Sequence, residues 1–411
     1  GNAVSVRFET KPIGEVCTFY NGLWTGKKPP YVTAGVFRNT DFGRDGQLKD
    51  SEVAVLQVEE KQLVKRRLQF GDIILEKSGG GPKQAVGRVA FYDKTEGVYS
   101  FSNFTSAIRV NDTNQLLPQY LLKFLFWTYQ SGVTEGMQSH STGIRNLNAD
   151  AYKQIEVPIL PLEEQRRIVA VLDKAFAGIA TATANAEKNL TNARSLFESY
   201  LEAIATGQGD GWAVTPLGDV CETQYGISGT MNTSGLGYKI FRMGEVQDGR
   251  MIDTGQMKHI DIPDTEFETY RLRKGDVLFN RTNSIALVGK TGVFSLDGQY
   301  CFASYLIRVK FDAKKMSSRF AGYVMNSKSF LERVRAKAAQ SVNQANINAT
   351  ILRAEVISYP VEVAVQNEII DRLDAFSAHI QSLQLVYQKK LTSLTELKQS
   401  LLQKAFAGEL I

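Results

Sequence analysis

Cysteine and histidine are scarce, with three of each in 411 residues. Cys17, Cys221 and Cys301 form an odd, scattered set that fits neither a disulfide framework nor a metal site. His140, His259 and His379 are equally dispersed, so a zinc centre or a Ser-His-Asp arrangement has little to stand on. No unbroken apolar run reaches the ~18 residues of a membrane span. Gly1-Asn2-Ala3 starts no signal peptide, so the expected location is cytoplasmic.

Motifs for chemistry are missing too. Val288-Gly289-Lys290-Thr291 resembles the end of a phosphate-binding loop, but Ser284 stands where its first glycine belongs and the chain continues as a strand pattern. Gly79-Gly80-Gly81 is followed by no helical pattern, which excludes a dinucleotide fingerprint. The Asn-Pro-Pro-Tyr type of run that holds a flipped adenine is absent; Asn280-Arg281-Thr282-Asn283 comes nearest and has neither proline nor aromatic.

What the chain does have is itself, twice. Shifted by 201 positions, the stretch from Pro161 to Gly207 falls on Val361 to Gly408: Gln165 meets Gln366, Leu172-Asp173 meets Leu373-Asp374, and Ile179 meets Ile380. Both copies carry an apolar stripe stepping by four and three. It runs through Ile168, Leu172, Ile179 and Leu196 in the first, and through Ile369, Leu373, Phe376, Ile380, Leu383, Tyr387, Leu394 and Leu397 in the second. A period near 3.5 is a coiled-coil seam, and helices of roughly 44 residues would be about 66 Å long. Small residues in the first stripe (Ala175, Ala182, Ala186, Ala193) answer large ones in the second, so the two helices are expected to pair, antiparallel.

The intervening segments repeat as well. Phe37-Arg38 with Asp41 answers to Phe241-Arg242 with Glu245, and Gly71-Asp72 to Gly275-Asp276, at an offset of 204. Further on, Val86-Gly87 matches Val288-Gly289, and Ile108-Arg109-Val110 is aligned with Ile307-Arg308-Val309. Short apolar runs bounded by Gly, Asp and Asn predict strands over Asp72–Leu75, Gly87–Tyr92, Asp276–Asn280 and Tyr305–Val309. One helix is expected after the sheet in each unit, over Pro118–Gln130 and Arg319–Ala338. The expected fold is α+β: globular units at 1–160 and 208–360, long helices at 161–207 and 361–411.

Net charge is +5, and the excess sits in the globular units (+3 and +4) while each helix carries −1. That distribution suits units that meet phosphate and helices that meet protein. The polar groups able to read nucleic acid cluster after each Gly-Asp strand. They are Lys77, Ser78, Lys83, Gln84 and Arg88 in one unit, and Asn280, Arg281, Thr282, Asn283, Ser284 and Lys290 in the other. Arg forks onto guanine, Asn and Gln pair with adenine, and Lys, Ser and Thr suit phosphate. Arg38 and Arg242 are further candidates, with internal pairing to Asp41 and Glu245 the alternative; Arg145, Asn146 and Gln344 lie late in each unit.

Pro161-Leu162-Glu163-Glu164-Gln165-Arg166-Arg167-Ile168-Val169 and Leu401-Leu402-Gln403-Lys404-Ala405-Phe406-Ala407-Gly408-Glu409-Leu410 resemble the conserved regions of DNA-specificity subunits of type I restriction-modification systems. The second helix departs from the family's entry motif, with Pro360-Val361-Glu362-Val363-Ala364-Val365-Gln366. The resemblance implies two α/β target-recognition domains separated by conserved coiled-coil helices. It also implies a non-catalytic chain that positions two methyltransferase subunits and restriction-translocase subunits, with S-adenosylmethionine, ATP and Mg held by those partners and none by this chain. Two unlike units related by a pseudo-two-fold axis would read an asymmetric, bipartite duplex target, as a dimer reads half-sites about 34 Å apart. The alternatives are a DNA methyltransferase or nuclease carrying its own site, and a coiled-coil adaptor that binds protein.

Overall fold

The structure is a computed structural model that describes the chain except residues 1–8, 25–27, 44, 50–52, 81–83, 142–143, 342–343, 408 and 410–411. It divides into two compact units, one formed by 1–186 with 389–411 and the other by 187–388.

In the first unit an antiparallel sheet orders its strands Cys17–Asn21, Thr105–Val110, Ile73–Glu76, Val89–Phe91. The strands alternate sides, so Ile73, Leu75 and Ile108 face a core shared with Tyr120 and Phe124 of helix Pro118–Gln130. A second sheet runs Ala54–Glu59, Tyr31–Phe37, Tyr99–Phe101, and a small ribbon runs Gln138–Ser141, Ile144–Leu147, Ser78–Gly80.

The second unit repeats this plan. Its sheets run Cys221–Tyr225, Leu306–Phe311, Val277–Asn280, Thr291–Val293, then Arg250–Met251 and Val246–Gln247; and Met231–Asn232, His259–Ile260, Tyr238–Phe241, Tyr300–Phe302. Its ribbon runs Ala339–Ser341, Gln344–Asn346, Thr282–Asn283.

Two details differ from the sequence reading. The single helix expected over Arg319–Ala338 is two, Ser318–Met325 and Lys328–Ala336. Asn326 breaks it: its amide exchanges hydrogen bonds with the Thr291 backbone at 3.1 and 2.8 Å, and the Ser327 hydroxyl caps the next helix by accepting from Phe330 N–H. The repeat alignment at Ile108 is also off by two. Ile108 lies opposite Ile73 and Val309 opposite Val277, so the offset there is 201, and Ile307-Arg308 sits two places earlier along its strand than Ile108-Arg109. The ion pair survives the slip, because Arg109 reaches Asp72 and Arg308 reaches Asp276.

The long helices span Leu162–Ala205 and Val363–Phe406. A fully buried glutamine fixes the first turn of each. Gln165 accepts from Leu117 N–H at 2.8 Å and donates to the Gln115 and Leu160 carbonyls at 2.7 and 2.8 Å. Gln366 does the same with Ser317 N–H, Lys315 O and Pro360 O, at 2.8, 2.8 and 2.7 Å. Two turns on, Asp173 pairs with Lys123 at 2.6 Å, and Asp374 accepts from the Tyr323 hydroxyl at 2.6 Å and pairs with Arg319. The Tyr323 hydroxyl is raised well above its ordinary pKa, by burial first and by the Asp374 bond second.

Each unit packs one helix's beginning against the other's end. In the first, Ile168, Leu172 and Phe176 share a core with Leu402 and Ala405, and the Lys398 ammonium lies 4.7 Å from the Phe176 ring centre. In the second, Phe376 packs on Phe197 and Tyr200, and Ile370 shares a core with Ala205. As numbers rise along one helix they fall along the other, which is antiparallel pairing.

Along the helices, Leu373 and Ile380 are buried, while Ile179, Ile369, Phe376, Leu383, Tyr387 and Leu394 are partly buried. Leu196 and Leu397 instead face solvent, at 60% and 48% exposure, and Phe197 and Lys398 turn inward in their place. A straight helix has 3.6 residues per turn, so a strict 3.5 step drifts about 20° per heptad. Four heptads beyond Ile168 and Ile369 the drift reaches about 80°, which carries Leu196 and Leu397 off the seam. By length and composition the first long helix is apolar enough to cross a membrane, and its residues Ile168, Leu172 and Phe176 are buried against protein.

Replacing Gln165 by leucine strands one amide and two carbonyls in a buried setting, each costing ~1–3 kcal/mol. Gln165→Leu should therefore lower unfolding free energy by about 3 kcal/mol or more in urea denaturation, and Gln366→Leu by a similar amount.

Candidate nucleic-acid interface

Candidates some 65 residues apart in sequence meet on the ribbons. In the first unit Asn146 lies opposite Ser78 and Arg145 opposite Gly80, with a register slip between them. The Ser78 hydroxyl donates to Asn146 Oδ1 at 2.6 Å, and Leu147 N–H donates to the Lys77 carbonyl at 2.8 Å. In the second unit Asn346 lies opposite Thr282 and Ala345 opposite Asn283. Asn346 Nδ2 donates to the Thr282 hydroxyl at 3.3 Å, and Ile347 N–H to the Arg281 carbonyl at 2.9 Å. The ribbon strands thus carry Ser78, Arg145 and Asn146 in one unit and Thr282, Asn283 and Gln344 in the other, with Lys77 and Arg281 at their entrances and exposed Ser284 in the following turn.

Lys77 and Arg281 occupy equivalent places and do different things. Lys77 Nζ donates to Asn21 Oδ1 at 3.0 Å, and burial lowers its pKa from the ordinary lysine value. Arg281 uses its planar fork as a brace. It donates to Asn346 Oδ1 at 2.9 Å, to the Ser304 carbonyl at 3.1 Å and to the Ile347 carbonyl at 3.4 Å, and lies 4.9 Å from the Tyr225 ring centre. Gly79, within the strand Ser78–Gly80, has φ +100°, and a Cβ there would stand 2.8 Å from Asn39 Nδ2, so this position favours glycine.

Other candidates are committed inside the fold. Arg88 donates to the Asn39 carbonyl and forks onto fully buried Glu76 at 2.8 and 2.9 Å, and the Glu76 bond raises its pKa further. Gln84 is exposed beside this guanidinium. Arg38 and Arg242 close short turns with Asp41 and Glu245, at 3.5 and 2.9 Å. Asn280 is buried at the position equivalent to Glu76, and neither polar atom of its amide has a hydrogen-bond partner among the described residues. Lys290, equivalent to Arg88, is partly buried. Lys83 lies outside the described residues. The basic residues expected on the helix after the second sheet are structural: Arg335 donates to the Val288 and Ala286 carbonyls, and Arg333 and Lys337 both pair with buried Glu355.

Sequence reading missed Phe104 and Tyr305, equivalent residues at the 201 offset. Both are exposed, at 47% and 39%, and their carbonyls accept the amides that open each ribbon: Lys77 and Ser78 on Phe104, Arg281 on Tyr305. A two-place correction of the alignment would have superposed them. The cysteine thiols are buried and pushed up to about 12 for Cys17, about 11 for Cys221 and about 12 for Cys301, unlike activated nucleophiles.

Arg88→Met would leave the Glu76 carboxylate buried without its charge partner, a loss of ~3–5 kcal/mol. Arg281→Met removes a brace from neutral acceptors, so its effect on denaturant stability should be smaller, about 1–3 kcal/mol.

The model for the type I restriction modification DNA specificity domain matches residues 5–191 and again 209–391. The type I restriction enzyme StySPI specificity subunit of Salmonella potsdam is 26% identical over 428 residues, spanning 98% of this chain and 89% of the relative. The EcoKI specificity subunit of Escherichia coli (strain K12) is 26% identical over 376 residues, spanning 85% and 77%. Among solved structures, a chain from work on complex assembly and conformational transition of the type I R-M system matches with a TM-score of 0.79 at 19% identity, over 100% of both chains. The HsdS subunit from Thermoanaerobacter tengcongensis matches with a TM-score of 0.59 at 19% identity, over 98% and 97%. Twice-built from one strand-and-helix plan, with the family model covering both halves, the chain belongs to the family of type I restriction-modification DNA specificity subunits.

Proposed function

We propose that this chain is the sequence-reading, non-catalytic subunit of a type I restriction-modification complex and that each globular unit reads one word of an asymmetric, bipartite duplex target. The observation that carries the reading is the pair of ribbons. A shared scaffold holds two different polar sets, Lys77, Ser78, Arg145 and Asn146 against Asn283, Ser284 and Gln344, with Arg281 and buried Thr282 bracing the second. Donor-acceptor groups on a two- or three-stranded ribbon fit base edges, and the positive excess of each globular segment fits phosphate. Phe104 and Tyr305 add an exposed apolar surface at the foot of each ribbon, suited to contact with sugar or a base face.

Catalysis belongs in this reading to partners: two methyltransferase subunits that bring S-adenosylmethionine, and restriction-translocase subunits that bring ATP and Mg. The complex works in the cytoplasm, where the duplex is. Methyl transfer by the pure chain given S-adenosylmethionine and DNA would contradict the assignment.

Exchanging residues 1–157 for those of a relative with another target, followed by methylome mapping in the cell, tests the two-reader reading. One word should change and the other stay; a change in both words would show that the units do not read independently.

A further inference from the structure

The two units differ at one sheet edge. In the second unit, strand His259–Ile260 lies between Tyr238–Phe241 and a fourth strand, Met231–Asn232, which pairs antiparallel with it and sets Met231 opposite Ile260. In the first unit the corresponding strand is Ala54–Glu59. Gly35 lies opposite Val55 and Ala34 opposite Leu56, as Lys239 lies opposite His259 and Tyr238 opposite Ile260. Here no fourth strand follows among the described residues, and Ala54–Glu59 is the edge. Exposure tracks the difference: Ile260 is 2% exposed and Leu56 48%, with Val55 at 69%.

Backbone geometry leaves the edge ready to pair. Gly35 N–H donates to Val98, away from the strand, and Glu60 N–H donates toward Pro30, so along an antiparallel ladder the Val55 and Gln57 amides and carbonyls point outward. Proteins normally block an apolar edge with charge, proline or a covering element. Of the two residues that match this fourth strand in the first unit, Lys27 lies outside the described residues and Lys28 is described. Tyr31–Thr33 lengthen the neighbouring strand, while Trp24 N–H and Lys28 N–H are held by the Gln62 and Glu59 side chains at the far end of the edge.

We propose that Ala54–Glu59 is a strand-addition site for an extended segment of a protein subunit that assembles on this chain. The segment runs antiparallel to the edge and carries an apolar residue of methionine size opposite Leu56. The internal repeat specifies that occupant. Met231 shows what closes the face over Ile260, and a like side chain opposite Leu56 would extend the cluster formed by Leu23, Ala34, Val36, Val58 and Leu63. The proposal rests on the reading of the chain as part of a complex.

Amide hydrogen exchange on the full chain, alone and in complex with its methyltransferase subunits, tests it. Val55 and Gln57 should exchange freely in the chain alone at every concentration and slow at least about tenfold in the complex. Val55→Pro, which spares the ladder to Tyr31–Phe37 because its amide points outward, should remove the Gln57 protection and weaken retention of the partner about tenfold. Complex formation with both amides still freely exchanging would overturn the proposal and leave the functional reading intact, whereas failure to form any complex would count against that reading itself. Protection in the chain alone would also overturn it, by a second copy if it rises with chain concentration and by the chain's own residues if it does not.

Discussion

A buried amide holds each half of this molecule together. Gln165 and Gln366, both fully enclosed, each donate two hydrogen bonds to the backbone and accept one from it. Each satisfies an amide and a carbonyl at the opening of a shorter helix and the carbonyl that leads into its own long helix. An isosteric apolar residue could not do this, because the three backbone groups it met would be left dry and unpaired. The long helix of each unit is thereby set in a fixed place on its own globular body, and the Asp173 and Asp374 contacts hold it two turns further along.

From that frame the units diverge where reading would occur. The Glu76–Arg88 pair braces the first ribbon's base, while the second has Asn280 and Lys290 at the same places and relies on the Arg281 fork. The ribbon strands keep their order, with a register slip in the first only, while the polar side chains at the surface change. A duplicated scaffold with independently varied ribbons can evolve two unlike specificities without altering either core. The same divergence shows at the sheet edge, closed by Met231–Asn232 in one unit and carrying no fourth strand among the described residues of the other.

Much of the architecture was legible in the sequence. The apolar stripes gave helices close to the 44 residues observed in each, and the Gly-Asp repeats gave the central strands. The stripe misplaced Leu196 and Leu397 because period 3.5 and period 3.6 agree at first and separate only after several turns. The ribbons were not legible, since Ser78 and Asn146 are neighbours only once the chain has folded back across 68 residues. Nor could one sequence say that Arg88 is spent on Glu76, because an arginine in a polar loop looks the same whether it faces solvent or a buried carboxylate. The repeated Gln165 and Gln366 stood out as a match, but their role as clamps needed coordinates.

We infer that the length of the long helices sets the number of unread base pairs between the two words. The most direct test is to insert one helical turn within 175–193 together with a matching turn within 376–394, and to map the methylated sites of the resulting complex. Both words should persist with a changed number of unread base pairs between them. An altered word at constant spacing would contradict the claim.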